Sequence, residues 1–473
     1  MVVALAAGTA SASSELRVVG RHFEDAGGRV VLLRGVNVAG DAKVPPFRPA
    51  LPAVFEPLPG FGFNVVRLLF TWEAYEPEMG MPDASYLDYY EAAARAAWAR
   101  GLYVIVDFHQ DAFSRWSIGG CGEGFPRWAV PAGLAAAAPD NGPACADWGT
   151  RMLTDDKMKQ SWDAFYAGQG GVRERYLAMV AAVAARLQAV PGVVGYDLLN
   201  EPWGDEVSQL GPLHAAAVAA LRARDASAII LVSPQALTSA GSQTKLPRPG
   251  FDNFAYAPHW YDGAVLLAKK WGGASPARAF AVMTAKANEW GVPLLLGEFG
   301  APAGTERGAE FVAALYDELD SALASGTHWV YTPGWTAERK DGWNAEDLSI
   351  VDGSGALRDN FRPRAVAQRV SGAPLAFRGG TEVELSWQHE PARGRTELFV
   401  PAGDWVIEAE GAACVFETTT RVVCESAAGG EKRLLLRARG GGGGDSCGLT
   451  GAEALLLVGL AALLRRRHSQ ATR

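Results

Sequence analysis

NVVRLLF (64–70), YLDYYEAAARAAWARG (86–101) and LYVIVDF (102–108) follow one another in the chain and together decide the fold. The outer two are short runs of β-branched and aliphatic residues, and the middle one repeats apolar residues at helical spacing. Strands that are nearly continuously apolar are covered on both faces, as in a parallel sheet flanked by helices. Outward from this unit the same alternation recurs. Further strands are expected at VVLLRGVN (30–37), VVGYDLL (193–199), AIILVS (228–233), FAYAPH (254–259), PLLLGEF (293–299) and HWVYTPG (328–334), with a second helix over RERYLAMVAAVAARLQA (173–189). Eight such strands between residues 16 and 370 predict an α/β fold of the (β/α)8 TIM-barrel type with some long loops. A doubly wound open sheet would want a glycine-rich phosphate loop after an early strand, and the sequence has none there.

From about residue 372 helical patterns stop. ELSWQHE, TELFVPA, WVIEAEG and KRLLLRARG alternate between turn residues and predict a small β-sandwich domain over 372–438. The whole chain of 473 residues carries 44 Lys and Arg against 52 Asp and Glu, a net charge of −8. That balance argues against nucleic acid as a partner. A hydrophobic content of 49% excludes disorder over the whole length. The aromatic load is heavy, with 15 Trp and 12 Tyr, and sugar clefts are one place where such rings serve.

The two ends read as addresses. Residues 1–12 are small and apolar and finish in Ala10-Ser11-Ala12, a signal-peptide cleavage pattern without a basic start. Residues 439–473 comprise a glycine linker, Cys447-Gly448, an apolar run from Leu449 to Leu464 and the cluster Arg465-Arg466-Arg467. This order of parts resembles the bacterial MYXO-CTERM sorting tails, which implies export to the cell surface or secretion and a sorting machinery as partner. Cysteine usage agrees: Cys121–Cys145 and Cys414–Cys424 are the simplest disulfide pairings for an oxidising compartment. Neither pair has zinc-ligand spacing.

Polar residues gather where the expected strands end, the face at which such barrels build their sites. They are Asn37, Arg67, His109 with Asp111, Asn200-Glu201, His259 with Tyr261, Glu298 and Trp335. Glu201 closes the fourth strand and Glu298 the seventh, across the barrel mouth. Two carboxyl groups converging on one bond are what glycoside hydrolysis needs. The loop from 110 to 171 carries Trp116, Trp128, Trp148 and Trp162, and is expected to form a cleft wall, a small core of its own, or both.

The set Arg67 in NVVRL, His109 in DFHQD, Asn200-Glu201-Pro202, His259 and Tyr261 in APHWYD, Glu298 in GEFG and Trp335 in PGW resembles glycoside hydrolase family 5. The resemblance implies Glu201 as acid/base and Glu298 as nucleophile, in a retaining mechanism that needs neither cofactor nor metal. Arg67 and Tyr261 would serve the ionised Glu298, Asn200 a sugar hydroxyl, and Trp335 would be an apolar floor. RGVNVAGDAKVPPF, DFHQDAFSRW, GEGFPRW and YDLLNEPWG are similar to endoglycoceramidases and related glycosylceramidases within that family. By that likeness Lys43, His109 and Asp111 contact the sugar beside the lipid, and the substrate is a glycolipid met transiently at a membrane surface or micelle. Glucosylceramidase, steryl-β-glucosidase and endo-β-glucanase remain alternatives on the same chemistry. A lipid groove would come from the loops 44–62 and 262–275, although the first could equally plug the barrel bottom.

Overall fold

The computed structural model describes residues 16–48 and 53–439. The expected leader and all but the first residue of the expected linker and tail lie outside the described residues. A three-stranded antiparallel sheet opens the chain: β1 (Leu16–Val19), β2 (His22–Asp25) and β3 (Val30–Val31). The barrel follows as β4 (Arg34–Val38), β5 (Val65–Thr71), β6 (Tyr103–His109), β7 (Val193–Asp197), β8 (Ile229–Val232), β9 (Phe254–Tyr256), β10 (Leu295–Leu296) and β11 (Ser325–Tyr331). All neighbours pair in parallel in the order β10-β11-β4-β5-β6-β7-β8-β9. Parallel bridges Tyr256–Leu294 and His259–Glu298 join the two edges. The expected TIM barrel is therefore present.

Alternation along the strands sorts their side chains. Val66, Leu68 and Phe70 of β5 and Val104, Val106 and Phe108 of β6 pack outward in the main core. The helix Ala84–Trp98 covers them with Tyr86, Tyr90, Ala93, Ala94 and Ala97. Its start is capped by the Asp83 carboxylate, which accepts from the Ser85 and Tyr86 amides. The helix Val172–Leu187 covers the next stretch with Tyr176, Met179, Val180 and Val183. Val65, Ile105, Ile229, Leu231 and Leu295 face inward and close the bottom together with Leu16 and Phe23 of the N-terminal sheet.

That arrangement corrects two boundaries. The stretch 30–37 is not one strand: β3 ends at Val31 and belongs to the bottom sheet, and the barrel strand starts at Arg34. The bottom is closed by residues 16–33, not by the apolar loop 44–62. Within that loop, Val54, Phe55 and Leu58 join the outer core in two short helical turns, in the place a first barrel helix would take.

Two four-stranded antiparallel sheets follow the barrel. One has the order β12 (Val366–Arg369), β15 (Thr396–Phe399), β18 (Arg421–Glu425), β17 (Ala413–Thr418), and the other β13 (Gly372–Gly379), β14 (Glu382–His389), β19 (Gly430–Ala438), β16 (Trp405–Glu410). They share a core of Phe377, Leu385, Trp387, Leu398, Val422, Leu434 and Leu436. Val30 and Leu32 enter the same core, so the sandwich rests on the lower side of the barrel, away from the strand ends that carry the glutamates. Asp320 ties the two: it accepts from Arg34 in β4 at 2.9 Å and from the Gly379 amide at 2.9 Å.

Candidate active site

Above the apolar bottom layer the inward positions turn polar. Asn37, Arg67, Asp107 and Asp197, from four adjacent strands, have no exposed surface. A buried charge must be paired and hydrogen-bonded, and Arg67 satisfies this completely. Its guanidinium donates to Asp197 at 2.9 and 3.1 Å, Asp107 at 2.8 Å, Asn37 at 2.9 Å, Asn200 at 2.8 Å and Glu298 at 3.0 Å. Burial alone would favour the neutral form, but the charges of Asp107, Asp197 and Glu298 outweigh it and hold the guanidinium ionised. Arg67 is thus the hub that orients the polar groups above it.

Glu298 follows β10 and receives the Arg67 bond on Oε1 and a 3.0 Å bond from the Tyr261 hydroxyl on Oε2. Burial and the facing Glu298 push the Tyr261 phenol well above its ordinary range, so it remains a donor. Glu201 follows β7 with a left-handed backbone, φ 35°, a conformation that costs energy in a residue with a Cβ and clusters at functional sites. Its Oε1 lies 3.0 Å from His259 Nδ1, which is itself 3.5 Å from Glu298 Oε2. Burial raises the Glu201 pKa, with the Glu298 charge adding to the rise and the His259 contact opposing it. Burial pushes His259 down, but Glu298 and Glu201 more than restore it. One oxygen each of Glu201 and Glu298 and a His259 nitrogen all lie within 4.8 Å of one another.

A second polar group borders this one. His109 Nδ1 is 2.7 Å from Asp107, and its ring stacks on Trp329 at 5.4 Å. Lys43 Nζ donates to Asp111 at 2.5 Å and sits 4.5 Å over Trp329 and 4.1 Å over Trp343. The two groups meet at Asn200, whose side-chain amide donates to the Gln110 carbonyl at 3.0 Å and toward Asp111 at 3.4 Å. Burial works against the Asp111 charge, yet Lys43 and His109 draw its pKa to about 2.

The structure therefore brings together Arg67, Asn200, Glu201, His259, Tyr261 and Glu298, and beside them Lys43, His109 and Asp111. Trp335 does not join them through its contacts. The last strand ends at Tyr331, three residues earlier than the sequence suggests, and Trp335 bonds to Asp347 at 3.1 Å under the Arg358 guanidinium. The aromatic ring presented to the site from that strand is Trp329, only 4% exposed. Sequence reading also passed over Asp107, Asp197 and Glu123. For the first two a signal exists: an acid at an inward position of an apolar strand, the two lying opposite each other on neighbouring strands. Glu123, within GEGF of the long loop, has no such signal.

The long loop is both wall and core. Trp162 packs edge-on against Phe113 and Phe125 at 5.1 and 5.6 Å, while Trp148 meets Trp343, the ring under Lys43, at 4.8 Å. Cys121–Cys145 and Cys414–Cys424 are closed as expected, with Cα separations of 5.5 and 4.1 Å.

Among the described residues two trios have donor spacing suited to a metal ion, His109-Asp111-Glu123 and Glu201-His259-Glu298. In the first, the Lys43 ammonium already lies on Asp111; in the second, Arg67 and Tyr261 already occupy the Glu298 oxygens. Both trios are built around protein cations and donors. His328, by contrast, points into the outer core against Phe299 and Phe361.

A parallel barrel with two glutamates converging above strands four and seven defines the class of two-carboxylate glycosidases. Residues 25–337, well over half of the chain, match the family described as Cellulase (glycosyl hydrolase family 5). The chain belongs to glycosyl hydrolase family 5. It is 35% identical over 194 residues to endoglycoceramidase I of Rhodococcus hoagii, covering 40% of this chain and 37% of that protein. It is 35% identical over 142 residues to a glucosylceramidase of Aspergillus fumigatus, covering 24% and 18%. The chain thus spans less than half the length of these curated relatives. The fold is that of endo-glycoceramidase II from Rhodococcus sp. in complex with ganglioside GM3, with a TM-score of 0.74 at 22% identity, covering 89% of this chain and 100% of that one.

Proposed function

We propose that the protein is a retaining β-glycosidase that cleaves the bond between a glycan and the ceramide of a glycosphingolipid. The observation that carries the mechanism is the approach of Glu201 and Glu298 oxygens to within 4.8 Å. Retaining enzymes hold the two carboxyl groups about 5–5.5 Å apart, whereas inverting enzymes leave about 6.5–9.5 Å for a water between them.

In the first step a Glu298 oxygen bonds to the anomeric carbon as the bond to the leaving oxygen breaks. Glu201, whose pKa burial raises toward that of a proton donor, gives its proton to that oxygen. In the second, water attacks the anomeric carbon, its proton passes to Glu201, and the ester to Glu298 breaks. Arg67 and Tyr261 each hold one Glu298 oxygen, so the nucleophile cannot rotate away between steps. Asn200 is tied to Arg67 and the Gln110 carbonyl, which fixes the direction in which its amide meets a sugar hydroxyl.

Ceramide as leaving group is supported by the local identity to an endoglycoceramidase and by the sequence phrases around His109 and Glu123. The test is product analysis after incubation with a ganglioside, glucosylceramide, galactosylceramide, a steryl glucoside and a soluble β-glucan. Intact oligosaccharide and free ceramide are expected. The glucosylceramidase relative makes glucose release from glucosylceramide alone the main rival outcome, and cleavage of the soluble glucan alone would refute a lipid leaving group.

Export to the cell surface is part of this reading. It rests on the two disulfides, which belong to oxidising compartments, and on the composition of the two ends. Fractionation of the producing cells tests it, with the protein expected outside the cytoplasm.

A further inference from the structure

Glu123 sits in the long loop yet is fully buried, and neither of its carboxylate oxygens has a hydrogen-bond partner. Such a group is costly unless the site uses it. Its place is tightly specified. The backbones of Asp111 and Glu123 exchange hydrogen bonds of 2.8 and 3.2 Å. The flanking glycines allow that approach: a Cβ at Gly122 would lie 2.3 Å from the Ser114 carbonyl oxygen, and one at Gly124, where φ is 111°, 2.3 Å from Gln110 Cβ. Cys121, two residues before, is tied to Cys145, and its carbonyl accepts from Asn344 at 2.5 Å.

The carboxylate is aimed at His109. Glu123 Oε1 lies 3.4 Å from His109 Nε2, and Asp111 Oδ2 lies 3.5 Å from the same nitrogen. Asp107 faces the other ring nitrogen, and Trp329 covers one ring face. The other ionisable groups around the pair include Lys43, paired with Asp111 and 3.8 Å from the Glu346 carboxylate, and Tyr86 from the first long helix, which is close enough to feel the Glu123 charge. With carboxylates at both nitrogens, both carry hydrogens in the stable arrangement.

We propose that Glu123 is a positioning residue that clamps the His109 imidazolium against Trp329, so that Lys43, His109 and Asp111 keep one arrangement beside the two glutamates. This rests on the reading of that site as the place of glycoside hydrolysis. Electrostatics agree with the geometry. Burial lowers His109, but Asp107 and Glu123 carry it up to about 10. Burial itself lifts Glu123 to about 8, so its charge develops in the alkaline range, where His109 would otherwise start to lose its proton.

The test is an imidazole NMR titration of the whole protein and of Glu123→Gln and Glu123→Asp, with His109→Gln to assign the signal. Glu123→Gln keeps the shape and removes the charge. Its His109 midpoint is expected to fall by about one pH unit or more, a tenfold change in proton affinity, and Glu123→Asp should fall less. The alkaline limb of the activity profile should move to lower pH with it. An unchanged midpoint in Glu123→Gln would overturn the proposal, and an unchanged midpoint in Glu123→Asp would do so if the amide variant does not fold. Absence of glycosidase activity in the unaltered protein would instead strike the proposed function, while the titration still decides the role of Glu123.

Discussion

Around Glu201 and Glu298 the groups are carried by strands or the residues just after them, and Arg67 ties Asn37, Asp107, Asp197, Asn200 and Glu298 into one network with bonds of 2.8–3.1 Å. Around Lys43, the residues Asp111, Glu123 and Trp343 are carried by loops, while His109 ends β6 and Trp329 lies in β11. The cation rests on two tryptophan rings, and the Glu123 oxygens and His109 Nε2 have no hydrogen-bond partner. The first side is a network of charged hydrogen bonds anchored on the barrel strands themselves. The second is held in part by a disulfide, two glycines and stacked rings.

The comparison can be broken first at the nucleophile. Glu298→Gln should reduce turnover by about 10⁴-fold or more, ~5 kcal/mol of transition-state stabilisation, with little change in melting temperature. Arg67→Met should lose activity and also destabilise the protein by about 3–5 kcal/mol in denaturant titration, because Asp107 and Asp197 remain buried without their partner. Removing Cys121 and Cys145 together should cost roughly 3 kcal/mol and raise KM, whereas removing Cys414 and Cys424 should affect stability alone. Trp329→Ala should lower kcat/KM by about tenfold or more, in line with the loss of roughly 1.4 kcal/mol of ring contact, and Trp335→Ala by much less.

The smallest effect concerns pH. Burial carries Glu346 from an ordinary value of 4.5 to about 8. Between those values the folded protein holds a proton that the unfolded chain has released, so unfolding free energy falls as pH rises through this window. Glu346→Gln should flatten that part of the stability profile, measured by denaturant unfolding from pH 5 to pH 9.

Legibility from sequence follows the same division. The strands of the barrel stand out because their apolar runs are covered on both sides, and the two glutamates stand out because strand ends are where such folds place function. Trp335 stands out in PGW, but the last strand ends at Tyr331, and the ring against His109 and Lys43 is that of Trp329 within the strand. The split at Leu32 was hidden because VVLLRGVN serves two sheets in succession without a break in hydrophobicity. Glu123 lies in a phrase, GEGFPRW, that the resemblance picks out, but its place is not legible: it depends on a loop folding back over His109, a tertiary contact that leaves no periodic mark.

The most direct test of the central assignment is mass spectrometry after incubation with a 2-deoxy-2-fluoro β-glycoside bearing a good leaving group. The fluorine slows the second step more than the first, so a retaining enzyme accumulates its glycosyl ester. The expected result is one sugar added to the peptide that contains Glu298, with none in Glu298→Gln. Turnover of an ordinary β-glycoside without any such adduct, and with an inverted first-formed sugar, would contradict the account.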